Sequence, residues 1–269
     1  MGVPKYFIGF LVLLFAFSVQ ADLLLSPSRL VLEGDQRSGE LDIANTGPET
    51  VIYRFHLVNL RMSETGQVEM VKEPAAGELF ADNFIYFSPR QMTLLPYSAK
   101  VIRIGVRKPK DLAVGEYRSH LLIERIPEYT DIVSSSKKGI QIQVKALVSA
   151  TLPLIVRHGE MVAQVKINDF LFKPAVVGTP AALRFALRRN GNSSVYGDLT
   201  FDFVSPAGET RHIGRREGIA IYFPNTHRLM HMDLPDLKPG KGKLVVSYWL
   251  PESTQDSKPL AQAEYIFSE

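Results

Sequence analysis

The strongest constraint on this chain is an alternation of apolar and polar residues with a period of two, broken at strand-length intervals by turn residues. Leu30 to Leu32 ends at Glu33-Gly34-Asp35, and Glu40 to Ala44 ends at Asn45-Thr46-Gly47-Pro48. Val51 to Leu60 precedes a turn over Ser63 to Gly66, and Phe84 to Phe87, Lys100 to Val106, Ser119 to Ile126 and Ile140 to Val156 continue the pattern. Pro74 to Leu79 is the best helical candidate and amounts to one turn. The pattern breaks at Arg157-His158-Gly159-Glu160 and resumes as Val162 to Phe172, Ala182 to Arg188, Asp198 to Val204, Ile219 to Phe223, Arg228 to Leu234, Leu244 to Leu250 and Ala261 to Phe267. Short strands at this spacing predict an all-β fold of two sandwiches in tandem. The expected limits are 22–157 and 158–269, both ordinary domain sizes.

Residues 1–21 read as a cleavable export signal. Lys5 supplies the positive start, Phe7 to Phe17 the apolar run, and Val19-Gln20-Ala21 the small residues before a cut ahead of Asp22. An uncleaved membrane anchor is the alternative reading, but the run is short for a bilayer. The expected location is a bacterial periplasm or the exterior, with no stable membrane insertion after cleavage. All 269 residues lack cysteine, which excludes disulfides, Cys-based metal sites and thiol catalysis. The formal charge is +3, and loss of Lys5 with the leader brings it to +2. Basic residues come singly or in doublets (Arg107-Lys108, Lys137-Lys138, Arg188-Arg189, Arg215-Arg216), which are expected at solvated loops and strand ends. No nucleic-acid partner is expected.

The chemistry of catalysis is not visible. No phosphate loop, nucleophile elbow, zinc-protease helix or calcium loop is present, and the carboxylates form no acid/base pair. His227 and His231 stand four apart, on one face of a strand, without a third ligand, so neither a metal site nor any cofactor is expected. Trp249 lies in an apolar strand and is expected in the core.

Ile140 to Val156 is longer than any ordinary strand of ~5–6 residues. Its even positions, from Ile140, Ile142, Val144, Ala146 and Val148 to Val156, are all aliphatic, while Gln141, Gln143 and Lys145 are polar. An exposed edge of this kind invites aggregation, yet it is also what a protein needs to lend a strand to an incomplete partner. Periodicity alone leaves this reading and an ordinary long central strand equally open.

Several motifs in order resemble the periplasmic chaperones of the chaperone–usher pilus pathway. Ser26 to Gly34 is similar to that family's first strand, and Leu41 to Asn45 to its second. Phe87-Ser88-Pro89 with Leu94-Leu95-Pro96 and Val101 to Ile104 resembles the next conserved stretch. Gly115 to Arg118 through Glu124 to Pro127 is similar to the strand before the donor strand, and Leu152 to Arg157 to the domain junction. Asn192 to Tyr196 and Val245 to Tyr248 extend the resemblance more loosely into the second half. Within the family, Pro153 and Gly115 to Arg118 look closest to the divergent archaic-type members.

The resemblance implies two immunoglobulin-like domains with an interdomain cleft, and a chaperone rather than an enzyme. It implies donor-strand complementation of pilus subunits that lack their final strand, followed by delivery to an outer-membrane usher. Ile140, Ile142, Val144, Ala146 and Val148 would be the donor residues. Arg29 would hold the subunit's C-terminal carboxylate, for which a planar guanidinium suits well. The family's second anchor, a lysine, falls on Pro153 in this chain. Glu116 and Arg157 would form an ionic pair at the interdomain junction, with a third member near Glu252. A structural pilin or adhesin is the alternative.

Overall fold

The protein is described by a computed structural model that covers residues 23–127, 149–237, 240–251 and 257–267. Ten strands form the N-terminal half: β1 (Leu23–Ser26), β2 (Leu30–Leu32), β3 (Ser38–Asn45), β4 (Val51–Met62), β5 (Val68–Val71), β6 (Ile85–Ser88), β7 (Gln91–Leu94), β8 (Ala99–Val106), β9 (Gly115–Ile126) and β10 (Ser149–His158). They build one sheet in the order β1-β3-β8-β6 and a second in the order β2-β10-β9-β4-β5, with β7 beside the first half of β4. Alternate side chains of the two sheets meet in one core, where Leu41, Ile43, Phe55, Ile102, Leu121 and Leu154 are fully buried. Each buried aliphatic contributes about 1.5–3 kcal/mol.

The C-terminal half adds β11 (Ala163–Lys173), β12 (Ala181–Gly191), β13 (Val195–Val204), β14 (Thr210–Ile221), β15 (His227–Leu234), β16 (Gly242–Trp249) and β17 (Ala261–Phe267). Its sheets run β11-β12-β15 and β14-β13-β16-β17, and they enclose a separate core around Leu183, Phe185, Phe201, Ile221, Val246 and Tyr248. The fold is therefore all-β, with two sandwiches in tandem, as the alternation implies. No helix occurs among the described residues, and Pro74 to Leu79 is loop and turn.

Four local differences from the sequence reading have physical causes. The first family-like strand, Ser26 to Gly34, is two strands. β1 pairs antiparallel with β3, the chain bends at Pro27 to Arg29, and β2 then pairs parallel with β10 in the other sheet. β14 begins at Thr210, nine residues before the strand expected at Ile219. It is an edge strand whose Arg211, His212, Arg215, Arg216 and Glu217 face solvent, which hides the alternation. The short strands β5 and β7 carry too little pattern to be read. Trp249 is half-buried rather than in the core: Tyr248 takes the inward position, and Trp249 points outward and donates from Nε1 to Thr200 Oγ1 at 3.0 Å.

Asn45 closes the turn after β3. Its Nδ2 donates to Glu49 O at 2.6 Å and Leu95 O at 3.0 Å, and its Oδ1 accepts from Gly47 N at 3.0 Å. Removing a buried partner strands several backbone groups, each at roughly 1–3 kcal/mol. Asn45→Ala is therefore expected to lower unfolding stability by about 2–4 kcal/mol, measured by urea denaturation, with little change in the m-value.

Candidate functional site at the junction of the two sandwiches

β9 is buried on both faces. Tyr117, Leu121 and Ile123 point into the N-terminal core, while Glu116, Arg118 and His120 point the other way and are still shielded from water. The register continues this second face across the sheet. His120 lies opposite Pro153, Arg118 opposite Ile155 and Glu116 opposite Arg157, with Val31 beside Ile155 on the far side. What covers it is the C-terminal sandwich, through Ser194, Tyr196 and Tyr222.

Glu116 is the centre of this contact, with its side chain 1% exposed. Arg157 Nε donates to it at 3.1 Å from the neighbouring strand. Ser194 donates to it from both backbone N, at 3.0 Å, and Oγ. The same Oγ accepts from Phe223 N at 2.9 Å. Glu116 and Arg157 are thus cross-strand neighbours within the N-terminal sandwich, and Ser194 carries the link to the C-terminal one. Arg157 also reaches Glu33 at 3.2 Å and Ser194 O at 3.3 Å. The third member expected near Glu252 lies outside the described residues.

Two further arginines lie over tyrosine rings of the other sandwich. The Arg29 guanidinium lies 4.2 Å from the Tyr196 ring centre, and that of Arg118 lies 4.1 Å from the Tyr222 ring centre. Such stacking contributes up to about 2 kcal/mol when desolvated. Burial, the larger effect, lowers the pKa of both; charge repulsion from Arg157 adds to this at Arg29, and repulsion from Arg29 adds to it at Arg118. Arg118 donates from Nη2 to Leu60 O at 3.1 Å, but Nε and Nη1 of both Arg29 and Arg118 are buried without a hydrogen-bond partner among the described residues. Each unmet donor costs roughly 1–3 kcal/mol. Arg29 and Arg157 line a cavity of about 350 Å³ together with Ser193, Ser194, Tyr196 and Leu260. The cavity therefore brings together the unmet donors of Arg29, the paired guanidinium of Arg157 and a partly apolar wall.

The edge of β10 supplies the second part of the site. β2 covers only the rows Leu154 to Val156. From Ser149 to Pro153, the side of β10 away from β9 has no strand beside it among the described residues. Arg29 sits in the bend just before β2, at the end of that open edge. The expected donor residues Ile140, Ile142, Val144, Ala146 and Val148 lie outside the described residues.

Some contributors were not legible as functional. Arg118 and Tyr196 alternate with inward-facing neighbours on their strands, and Ser194 and Tyr222 sit just outside strand ends, where polar residues look solvated. The Arg188-Arg189 doublet was expected at the surface, but only Arg188 is there. Arg189 is 4% exposed and donates to Asn225 O at 2.9 Å, Gly191 O at 2.8 Å and Ser193 O at 3.0 Å. It thereby fixes the loops that present Ser194 and Phe223, which is why it is drawn inward. His227 and His231 are apart in role as well: His227 lies 3.2 Å from Glu64 of the N-terminal sandwich, and His231 lies 3.1 Å from Asp233.

No protein-family model matches the sequence, and comparison with curated proteins finds no match. Solved structures do align over about nine-tenths of the chain. One is the CsuC chaperone with the CsuE tip subunit, from archaic chaperone–usher Csu pili of Acinetobacter baumannii, at 11% identity over 91% of this chain and 97% of that one, TM-score 0.45. Another is the CupB2 chaperone of Pseudomonas aeruginosa, at 11% identity over 90% of this chain and 97% of that one, TM-score 0.46. A third is the E. coli chaperone DraB, at 15% identity over 90% and 95%, TM-score 0.45.

Two outcomes follow from the buried groups. Glu116→Ala leaves Arg157 without its buried partner and removes both acceptors of Ser194. A loss of about 3–5 kcal/mol in urea denaturation is expected. His120, 4% exposed and with Nδ1 unpartnered, has its pKa pulled from 6.5 to about 3 by burial and then by the Arg118 charge. It is neutral when folded and takes up a proton on unfolding in acid. Its contribution is therefore intact above pH 6.5 and is lost as pH falls toward about 3, with a slope approaching ~1.4 kcal/mol per pH unit. Unfolding measured between pH 6.5 and 4 should be visibly less pH-dependent in His120→Leu than in the parent chain.

Proposed function

We propose that this chain is an exported, non-enzymatic periplasmic chaperone that holds pilus subunits by donor-strand complementation and passes them to an outer-membrane usher. The proposal includes a signal peptide at residues 1–21, an N-terminal domain to residue 157 and a C-terminal domain from residue 158. The observation that carries it is the open edge of β10 running up to Arg29. A strand added along Ser149 to Pro153 would occupy the line of β2 and meet the bend at Arg29 head-on. It must end there. β2 is parallel to β10, so a visiting strand running in the same direction would arrive with its C-terminus at Arg29. A chain end supplies a carboxylate, and Arg29 has buried N–H groups free to receive one.

The ordered motifs from Ser26 to Arg157 support the same reading. Ile140, Ile142, Val144, Ala146 and Val148 share the parity of Leu152, Leu154 and Val156, which face the core. Aliphatic side chains at that spacing suit the gap left by a missing strand in a partner's core. Pro153 stands where the family places a lysine, and Arg118 offers the nearest additional positive charge on the same face of the sheet.

Mixing the mature chain with a pilin that has a free C-terminus should give a soluble one-to-one complex by size exclusion with light scattering. Ile142→Glu combined with Val144→Glu should abolish the complex while the chaperone stays folded. Arg29→Ala should weaken capture by at least about tenfold, or ~1.4 kcal/mol. An affinity within about twofold of the parent, under ~0.5 kcal/mol, would reject Arg29 as the anchor. A chain that polymerises alone and captures no subunit would instead favour a structural pilin or adhesin.

A further inference from the structure

Of the arginines at the junction, Arg157, Arg118 and Arg189 are held by hydrogen bonds. Arg157 is tied to Glu116 and Glu33, Arg118 to Leu60 O, and Arg189 to the carbonyls of Gly191, Ser193 and Asn225. The Arg29 side chain makes no hydrogen bond and no ion pair among the described residues, although its Nε and Nη1 are buried. What fixes it is the Tyr196 ring, whose centre lies 4.2 Å from the guanidinium carbon. A guanidinium on a long stem has many rotamers to lose, and this one has no polar contact to hold it in place of the ring.

Tyr196 is placed for this contact rather than for its own core. β13 turns Val195, Leu199 and Phe201 into the C-terminal sandwich, while Tyr196, at the opposite parity, faces out of it toward the junction. Its hydroxyl end reaches Gly218 of β14, where an added Cβ would lie 3.4 Å from the oxygen, and the hydroxyl makes no hydrogen bond among the described residues. The ring is therefore the part of Tyr196 that acts. A ring beneath a cation fixes the charge electrostatically and takes up none of its N–H groups. A carboxylate in the same place would hold Arg29 more firmly but would neutralise it and occupy its donors. Arg157 shows that alternative in the same cavity, because Glu116 already takes its Nε.

We propose that Tyr196 is the positioning residue for Arg29: its ring holds the guanidinium on the wall of the cleft cavity with Nε and Nη1 unspent, so that a chain-end carboxylate meets a cation already in place. Recognition of the chain end then depends on a residue of the sandwich that does not carry the anchor. The inference rests on the capture role proposed for the cleft.

The test compares two forms of one pilin, with its C-terminus as the free acid and as the amide, refolded in the presence of the mature chain, and reads the chaperone concentration giving half-maximal capture. The parent should prefer the acid by at least about tenfold, since only the acid offers a charge to Arg29. Tyr196→Leu should cut that preference by at least about fivefold. Tyr196→Phe keeps the ring and should keep the preference. The ratio is read on one preparation of each variant, so a reduced folded fraction lowers both forms together and leaves it unchanged. A full preference in Tyr196→Leu, or an equal loss in Tyr196→Phe and Tyr196→Leu, would overturn the role of the ring while leaving the chaperone reading intact. A parent that captures both forms equally would remove the Arg29 anchor and this inference with it, and a parent that captures neither would remove the chaperone reading itself.

Discussion

A single buried carboxylate organises the meeting of the two sandwiches. Glu116 takes hydrogen bonds from Arg157 and twice from Ser194, and its charge favours the charged forms of Arg29, Arg118 and Arg189. Four arginines gather around it, with Glu33 adding only an exposed contact to Arg157. The balance is positive. Desolvating guanidinium groups is costly, and part of that cost is offset by stacking on Tyr196 and Tyr222. The rest remains as unmet donors at Arg29 and Arg118. A junction built this way needs both sandwiches, because one supplies Glu116, Arg29, Arg118 and Arg157 and the other supplies the rings, Ser194 and Arg189. The hairpin at the far end of β4 makes a second fastening, where Asn225 Nδ2 donates to Met62 O at 2.7 Å.

Much of the architecture is legible from periodicity because each sandwich has one core and alternates inward and outward residues along every long strand. β2, β10 in its described part, β15 and β17 fall within a residue or two of their expected limits. The strands that escape are those whose side chains do not alternate in polarity. β14 is charged along its solvent side as an edge strand should be, and β5 and β7 are four residues long. The split between β1 and β2 escapes for a different reason. A strand that leaves one sheet for the other keeps its composition while changing its partners.

The site is less legible than the fold, and β9 shows why. Glu116, Arg118 and His120 alternate with Tyr117, Ser119 and Leu121, which is how a strand with one face in water reads. Here the second face is in contact with another domain, and nothing in the local pattern distinguishes a polar residue facing solvent from one facing a neighbour. Glu116, Arg157 and Arg29 emerged from resemblance to a family, not from periodicity. Arg118 and the tyrosines that receive the arginines have no signal of their own in one sequence. The doublet Arg188-Arg189 makes the point within two residues: one pairs with Asp169 at the surface, and the other is enclosed by four backbone carbonyls.

Pro153 gives this arrangement its particular form. It places no charge and no N–H at the row of β10 that adjoins His120 and leads to Arg29. A lysine there would carry its ammonium on a flexible stem that water can follow. An arginine on the next strand, held against a ring and hydrogen-bonded to Leu60, carries a planar charge whose orientation is already fixed. Less side-chain entropy is lost when such a group meets an anion, although more has been spent to bury it. The positive charge of the cleft is accordingly spread over the bend before β2 and over β9, rather than placed on the strand that the anion's carrier would pair with. In the proposed role, strand pairing and charge recognition then rest on different elements. β10 sets where the visiting strand lies, and Arg29 with Arg118 sets where it must end.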